Sequence, residues 1–415
     1  MLNNTLELSL LTLITSFLLI HCNKMESPLD HALRKAGPAV QEVLKDKDQY
    51  EIQIRLTEVL EKEGEVEFRT SSFQEDDQFY FYPASTAKLP VAILALQKLR
   101  ALQQKGYKIN ANTPFEIIST QGNVIENKDT TALNQKLTIA HLIKKIFLVS
   151  DNDAYNYLFD FLGRDYINNA LHEVGLQNTH LYHKFLFGAD NINTWEYRFY
   201  SSEQDTLYFQ STIQSTGSGN TSELKSIFKG EGYVENGITV AAPFDFRNKN
   251  RIALSDLEGI LKRLFYPDSF EEKERFSLLE EDLEFLRFWM SRTTLESTDP
   301  NYNYGDYYDS YVKFFIYGDT KGQMSDSVRI YNKVGFAYGT VTDAAYIVDQ
   351  KTNTQFFLSA SILVNKNKIF YDDVYEFETI GIPFLAELGR SVLKELTTPK
   401  GVLRRQGVDV KIHLQ

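Results

Sequence analysis

The sequence predicts an α+β fold in which both chain ends build one sheet and the middle of the chain forms a helical lobe. Three observations lead there. Residues 28–46 read as a helix, followed by strand-like alternation over Tyr50–Glu58 and a second strand over Glu65–Thr70. The middle carries apolar runs of helical period. Alternation then returns at Val328–Lys333, Asp343–Val348 and Gln355–Leu363, and an amphipathic stretch closes at Gly381–Leu396. Strands split between the two ends must meet to complete a sheet, with the helical middle as a second layer.

Each element has a local reason. Ile52, Ile54 and Leu56 share one face of the first strand, as a half-buried strand requires. Lys62-Glu63-Gly64 turns the chain into the second. Pro83-Ala84-Ser85 opens a helix, and Pro90 falls in its first turn, where a missing N–H costs nothing. Leu89, Val91, Ile93, Leu94, Leu96 and Leu99 surround that helix, which marks it as buried. Thr138 can cap a helix running through Leu148, with Ile139, Leu142, Ile143 and Ile146 on one face. Ser150-Asp151-Asn152 interrupts it. Asp153–Leu162 and Arg164–Val174 follow, stopped by Gly163 and Gly175. From 187 to 250 the pattern loosens, and Ser211–Ser222 reads as an exposed loop. Helices return at Ser255–Leu264 and Phe276–Met290. The tyrosine clusters at 195–208 and 302–317 read as packing and loop residues.

Composition narrows the function. The 415 residues carry 44 basic and 56 acidic side chains, a net charge of −12, which argues against a nucleic-acid partner. Cysteine occurs once, at Cys22, so neither an internal disulfide nor a multi-cysteine metal site is available. No His-Glu-x-x-His helix appears, and neither a metal nor a cofactor is expected. Leu8–Ile20 is an apolar run of signal-peptide length, ending at His21-Cys22. Residues 1–22 are therefore expected to be a signal peptide. Cys22 is a candidate lipidation site in a degenerate lipobox. The chain is expected in the periplasm or attached to the outer membrane. Residues 23–415 are expected to form a single domain: a sheet lobe of about 28–80 and 320–415, a helical lobe of about 84–300, and an expanded insertion at about 187–250.

Three short motifs carry chemistry. Ser85-Thr86-Ala87-Lys88 places an amine one turn from a hydroxyl at a helix start. Such a hydroxyl becomes a nucleophile when a neighbouring base takes its proton, and Lys is that base once burial or a second cation lowers its pKa. Ser150-Asp151-Asn152 offers a hydroxyl for proton relay and an amide for a substrate carbonyl, although taken alone it is better explained by helix capping through Asp or Asn. Lys333-Val334-Gly335 ends a strand with a cation, and its glycine lets a ligand approach the strand edge. Each motif alone is weak.

In this order they resemble the signature of class A β-lactamases and penicillin-binding proteins. The flanks resemble it too: Phe81-Tyr82-Pro83-Ala84, Leu137-Thr138-Ile139 with Leu142-Ile143, and Tyr338-Gly339-Thr340 with Asp343. The resemblance spans about 50–185 and 240–395. It implies a five-stranded antiparallel sheet beside a helical lobe, with the active site between them. It implies acylation of Ser85 by an amide or ester carbonyl, with Lys88, Ser150 and Lys333 catalytic. Asn152, Gly335 and Phe336 would bind substrate, and the backbone N–H groups of Ser85 and Phe336 would hold the oxyanion. The implied substrate is a β-lactam or a cell-wall peptide, acted on by a monomer. Two departures stand out. Val334 replaces a hydroxyl residue of the third box, and no Glu-x-x-x-Asn loop is evident. Glu196 and Glu235 are the remaining candidates for the base that activates deacylating water. Slow β-lactam hydrolysis, cell-wall D-Ala-D-Ala peptidase or esterase action, and a sensor that acylates without turnover all remain open.

Overall fold

The computed structural model describes residues 26–62, 64–217, 224–302, 305 and 307–405. The expected signal peptide and Cys22 lie outside these residues, as do Glu63 of the hairpin turn and part of the 211–222 loop.

The central sheet has five antiparallel strands: β1 (Gln53–Lys62), β2 (Glu65–Phe73), β3 (Val328–Ala337), β4 (Thr340–Asp349) and β5 (Thr354–Leu363). Their order is β3-β4-β5-β1-β2, so the first and last parts of the chain pair side by side, Leu56 opposite Leu358. Period-two alternation sends successive side chains to opposite layers. Along β4, Val341, Ala345 and Ile347 pack with helices α1 (Pro28–Lys35), α2 (Pro38–Lys45) and the closing helix, which spans Ile382–Leu396. Ala344 and Tyr346 face the other way, into the core of the helical lobe.

The helical lobe holds α3 (Lys88–Gln104), α4 (Ile139–Val149), α5 (Asn152–Leu162) and α6 (Arg164–Glu173), with further helices at Leu254–Phe265 and Glu280–Ser291. Helix α3 is buried along most of its length, as its all-round apolar sequence requires. Thr138 caps α4 by accepting the His141 N–H at 3.2 Å.

Three expectations change. The helix read over 28–46 is two helices, because Gly37-Pro38 ends one and starts the next with proline at its first position. The strands run past the boundaries read from sequence, and β3 continues through Lys333 to Ala337. The 187–250 segment is not simply loose. Glu196–Tyr200 and Thr206–Gln210 join Phe115–Ile118 and Val124–Glu126 in a four-stranded sheet. Tyr197 and Phe199 are buried there against Phe115. These strands are only three to five residues long, too short for alternation to stand out.

Candidate active site

Ser85 lies in a 3-10 turn, Ala84–Ala87, that leads directly into α3. Residues i and i+3 eclipse in such a turn, which sets Lys88 beneath Ser85. Ala84 holds a left-handed φ of 45° while buried, a strained position immediately before the serine. Thr86 Oγ1 ties the turn down by donating to the Pro83 carbonyl at 2.7 Å.

Lys88 is fully buried. Its Nζ donates to the Ser150 carbonyl oxygen, to Asn152 Oδ1 at 2.6 Å and to Ser150 Oγ at 3.3 Å. Burial pushes the amine down from 10.5 to about 7, against the opposing pull of Asp151 and Asp153. Ser150 reaches the site because it ends α4 with a left-handed φ of 57°. Asp151, the middle residue of that motif, is structural: its side chain accepts the Ala154 N–H at 2.8 Å and caps α5. The motif thus divides its labour, with Ser150 and Asn152 facing the amine and Asp151 holding the helix.

Lys333 projects from β3 and donates to Ser150 Oγ at 2.7 Å and to the Val334 carbonyl at 2.9 Å. Burial first, and the Lys88 amine second, push its pKa well below the usual lysine range. Ser150 Oγ therefore stands between two amines, able to accept from one and donate to the other. Behind Lys333, Asn332 Nδ2 donates to Asp343 Oδ1 at 2.8 Å, and Lys313 Nζ donates to Asn332 Oδ1 at 2.8 Å. The Phe315 N–H caps the other Asp343 oxygen at 3.1 Å.

Gly335 explains its own identity. A Cβ there would stand 2.7 Å from Ser85 N and 2.6 Å from the Pro83 carbonyl oxygen. The backbone of β3 lies directly on the serine turn, and only glycine permits it. The next residue, Phe336, completes the geometry. Tyr338 and Gly339, at φ 49° and 74°, form the two-residue turn between Ala337 and Thr340. Such a turn closes on a hydrogen-bonded pair, so Ala337 bonds to β4 and the N–H of Phe336 points off the free edge of the sheet. Ser85 and Phe336 thus offer two N–H groups on either side of the Gly335 contact, where an oxyanion can sit.

A model of the β-lactamase enzyme family matches residues 37–222. That span carries the first two motifs, and the fold brings the third onto them. Over that span the chain is similar to the β-lactamase enzyme family. Among solved structures it is similar to the β-lactamase from Sphaerobacter thermophilus DSM 20745, at 12% identity over 90% of this chain and 98% of that one, with a TM-score of 0.46. It is also similar to the β-lactamase from Streptomyces albus G, at 13% identity over 87% and 98%, TM-score 0.48. A third is PBP-A, at 13% over 85% and 95%, TM-score 0.46. No curated protein matches the sequence.

Beside Ser85 this β-lactamase-like chain opens a cleft of about 500 Å³. Asn152, Phe336, Tyr338, Tyr82, His183 and Phe185 line it. Phe336 is 49% exposed at its mouth. The Phe185 ring lies 5.2 Å from Lys88 Nζ, and the Phe185 N–H is pinned to α5 through Asn156 Oδ1 at 2.7 Å. His183 Nδ1 pairs with the Lys184 carbonyl at 2.8 Å, and burial pushes its ring down to about 4, so it is neutral at pH 7.

Among the described residues no carboxylate lines the cleft. The two glutamates considered as deacylation bases are elsewhere. Glu196 begins a strand of the four-stranded sheet opposite Ile118, and Glu235 is exposed at a hairpin turn. The fold brings Ser85, Lys88, Ser150, Asn152, Lys333, Gly335 and Phe336 together and leaves both glutamates out. Phe185, His183 and Lys249 also line the cleft, and no motif in the sequence marks them.

Proposed function

We propose that this protein is an exported, class A-like serine hydrolase that is acylated at Ser85 by β-lactams and releases the acyl group slowly. The carrying observation is Ser150 Oγ, held between Lys88 and Lys333 beside the serine turn. Neutral Lys88 takes the Ser85 hydroxyl proton as Oγ bonds to the carbonyl carbon. The resulting oxyanion accepts from the N–H groups of Ser85 and Phe336. The carbon–nitrogen bond then breaks, and the proton passes from Lys88 through Ser150 Oγ to the departing nitrogen.

Release needs a second base to activate water. The Phe185 ring lies over Lys88, and among the described residues the cleft offers no carboxylate. A missing general base forfeits roughly 10²–10⁴-fold in rate. This favours a long-lived adduct over rapid β-lactamase turnover, and it keeps an acylating sensor as the second reading. Export through residues 1–22, with Cys22 lipidated, belongs to the same proposal and rests on the sequence.

Intact-protein mass spectrometry after exposure to penicillin tests the reading. The expected result is one adduct, absent in Ser85→Ala, that persists for many minutes. Glu196→Gln and Glu235→Gln should leave its lifetime unchanged. Equal adduct on Ser85→Ala removes Ser85 as nucleophile. Rapid nitrocefin hydrolysis by the wild type removes the slow-release claim, and turnover of a D-Ala-D-Ala peptide without penicillin adduct favours a peptidase.

A further inference from the structure

The cleft has a second cation that acylation does not use. Lys249 lines it, and its Nζ donates to Tyr371 Oη at 2.6 Å. The rings of Tyr338, Tyr371 and Phe244 stand 5.3, 5.3 and 5.7 Å from the amine. No carboxylate pairs with it among the described residues, whereas Lys184, the other lysine lining the cleft, is matched by Asp160 at 2.5 Å. A cation drawn into aromatic walls without a counter-ion pays for desolvation and regains little, so it favours an anion from outside. Tyr371 itself holds a left-handed φ of 62° to present its hydroxyl, backbone strain at a non-glycine residue.

Position along β3 says which part of a substrate meets it. Lys333 and Ala337 lie four residues apart, about 13 Å along an extended strand. Ser150 Oγ and Lys333 share the Lys333 end, and the proton for the leaving group comes from there. The leaving group must lie on that side of Ser85. The acyl arm, the part that stays on the serine, then runs past Phe336 toward Tyr338 and Lys249.

We infer that Lys249, set in its aromatic walls by Tyr371, is a specificity residue that binds a carboxylate on the acyl arm of the substrate. This rests on the proposed acylation of Ser85 and narrows its substrate class to acyl donors with an anionic arm.

The test uses two cephalosporins with acyl arms of equal length, one ending in a carboxylate (glutaryl) and one in a methyl group (pentanoyl). Their ring carboxylates are identical and cancel in the ratio of acylation rates, read by mass spectrometry. Wild type should acylate with the glutaryl compound about tenfold faster, the size of one charged hydrogen bond. Lys249→Met should lower that ratio about tenfold, and Lys249→Arg, which keeps the charge, should restore most of it. The pentanoyl rate in each variant reports that the acylating site is folded. An unchanged ratio in Lys249→Met, with pentanoyl acylation retained, overturns the inference and leaves the acylation reading standing. No acylation of wild type by either compound overturns the acylation reading and this inference with it.

Discussion

Lys88 must be buried to work as a base, and that burial opposes folding. Its amine titrates near 7 in the folded protein and near 10.5 when exposed. Acylation needs the neutral amine, so its rate should rise with pH through about 7 and fall roughly tenfold per unit below it. Measured rates of penicillin adduct formation across pH 5–9 check this, and a flat profile would place the base elsewhere. Stability carries the matching sign. Between the two pKa values the unfolded chain binds the extra proton, so stability rises with pH across that window. The penalty is full below about pH 7 and vanishes above about 10.5, and the span is on the order of 5 kcal/mol. Lys88→Met removes the group from the balance. Its stability relative to wild type should therefore be most favourable at pH 6–7 and decline steadily toward pH 10. Thermal denaturation of both proteins at these pH values checks it, and a pH-independent difference would contradict the buried, depressed amine. Ser85, Lys88, Ser150 and Lys333 were legible as chemistry because each lies in a short motif. Lys249 was not, since its walls come from positions 244, 338 and 371.

At the scale of elements, the site is a contact between the serine turn and the free edge of β3. Gly335 sets the distance. A methyl group there meets backbone on three sides: the Pro83 carbonyl oxygen at 2.6 Å, Ser85 N at 2.7 Å and Thr86 N at 2.8 Å. None of these can rotate away, so Gly335→Ala must push strand and turn apart and spoil both oxyanion donors. Losing one such donor costs about 10²–10³-fold. Gly335→Ala should thus acylate at least about 10²-fold more slowly, with a stability loss of about 1–3 kcal/mol from overpacking. Adduct kinetics and thermal denaturation measure the two effects. Acylation within a few-fold of wild type would show that the donors do not depend on this contact. The long elements were readable: the strands pair as their alternation implied, and the apolar surround of α3 marked its burial. The 196–200 and 206–210 strands were not, because five residues beside tyrosine-rich segments give too little pattern. Glu196 and Glu235 were candidates because the expected glutamate loop falls within 187–250, and sheet pairing sets them opposite Ile118 and Ile238.

At the scale of the whole molecule, the two ends of the chain are one structural unit. Leu29, Val40 and Ile54 share a core with Ile330, Leu358 and Leu385, although they are separated by the entire helical lobe. The closing helix contributes Phe384, Leu385, Leu388, Val392 and Leu396, all fully buried. Burying each such side chain is worth about 1.5–3 kcal/mol, so together they match the total stability of an ordinary domain, about 5–15 kcal/mol. A chain ended at residue 381 should lose cooperative unfolding and penicillin labelling together. Circular dichroism melting and adduct formation on the shortened chain check this, and a truncated protein that still labels would show that the sheet closes without its last helix.

By itself the sequence determined the α+β layout and the short motifs that hold the candidate nucleophile Ser85 and the two lysines, Lys88 and Lys333. These are local matters of periodicity and of motif residues a turn or less apart. Only the tertiary structure decided the rest: why residue 335 is glycine, that Phe336 turns its N–H off the sheet edge, that Phe185 covers Lys88, and that Lys249 faces the cleft without an acidic partner among the described residues. Each of these depends on backbone segments far apart in sequence meeting within a few ångströms, and periodicity carries no record of such meetings.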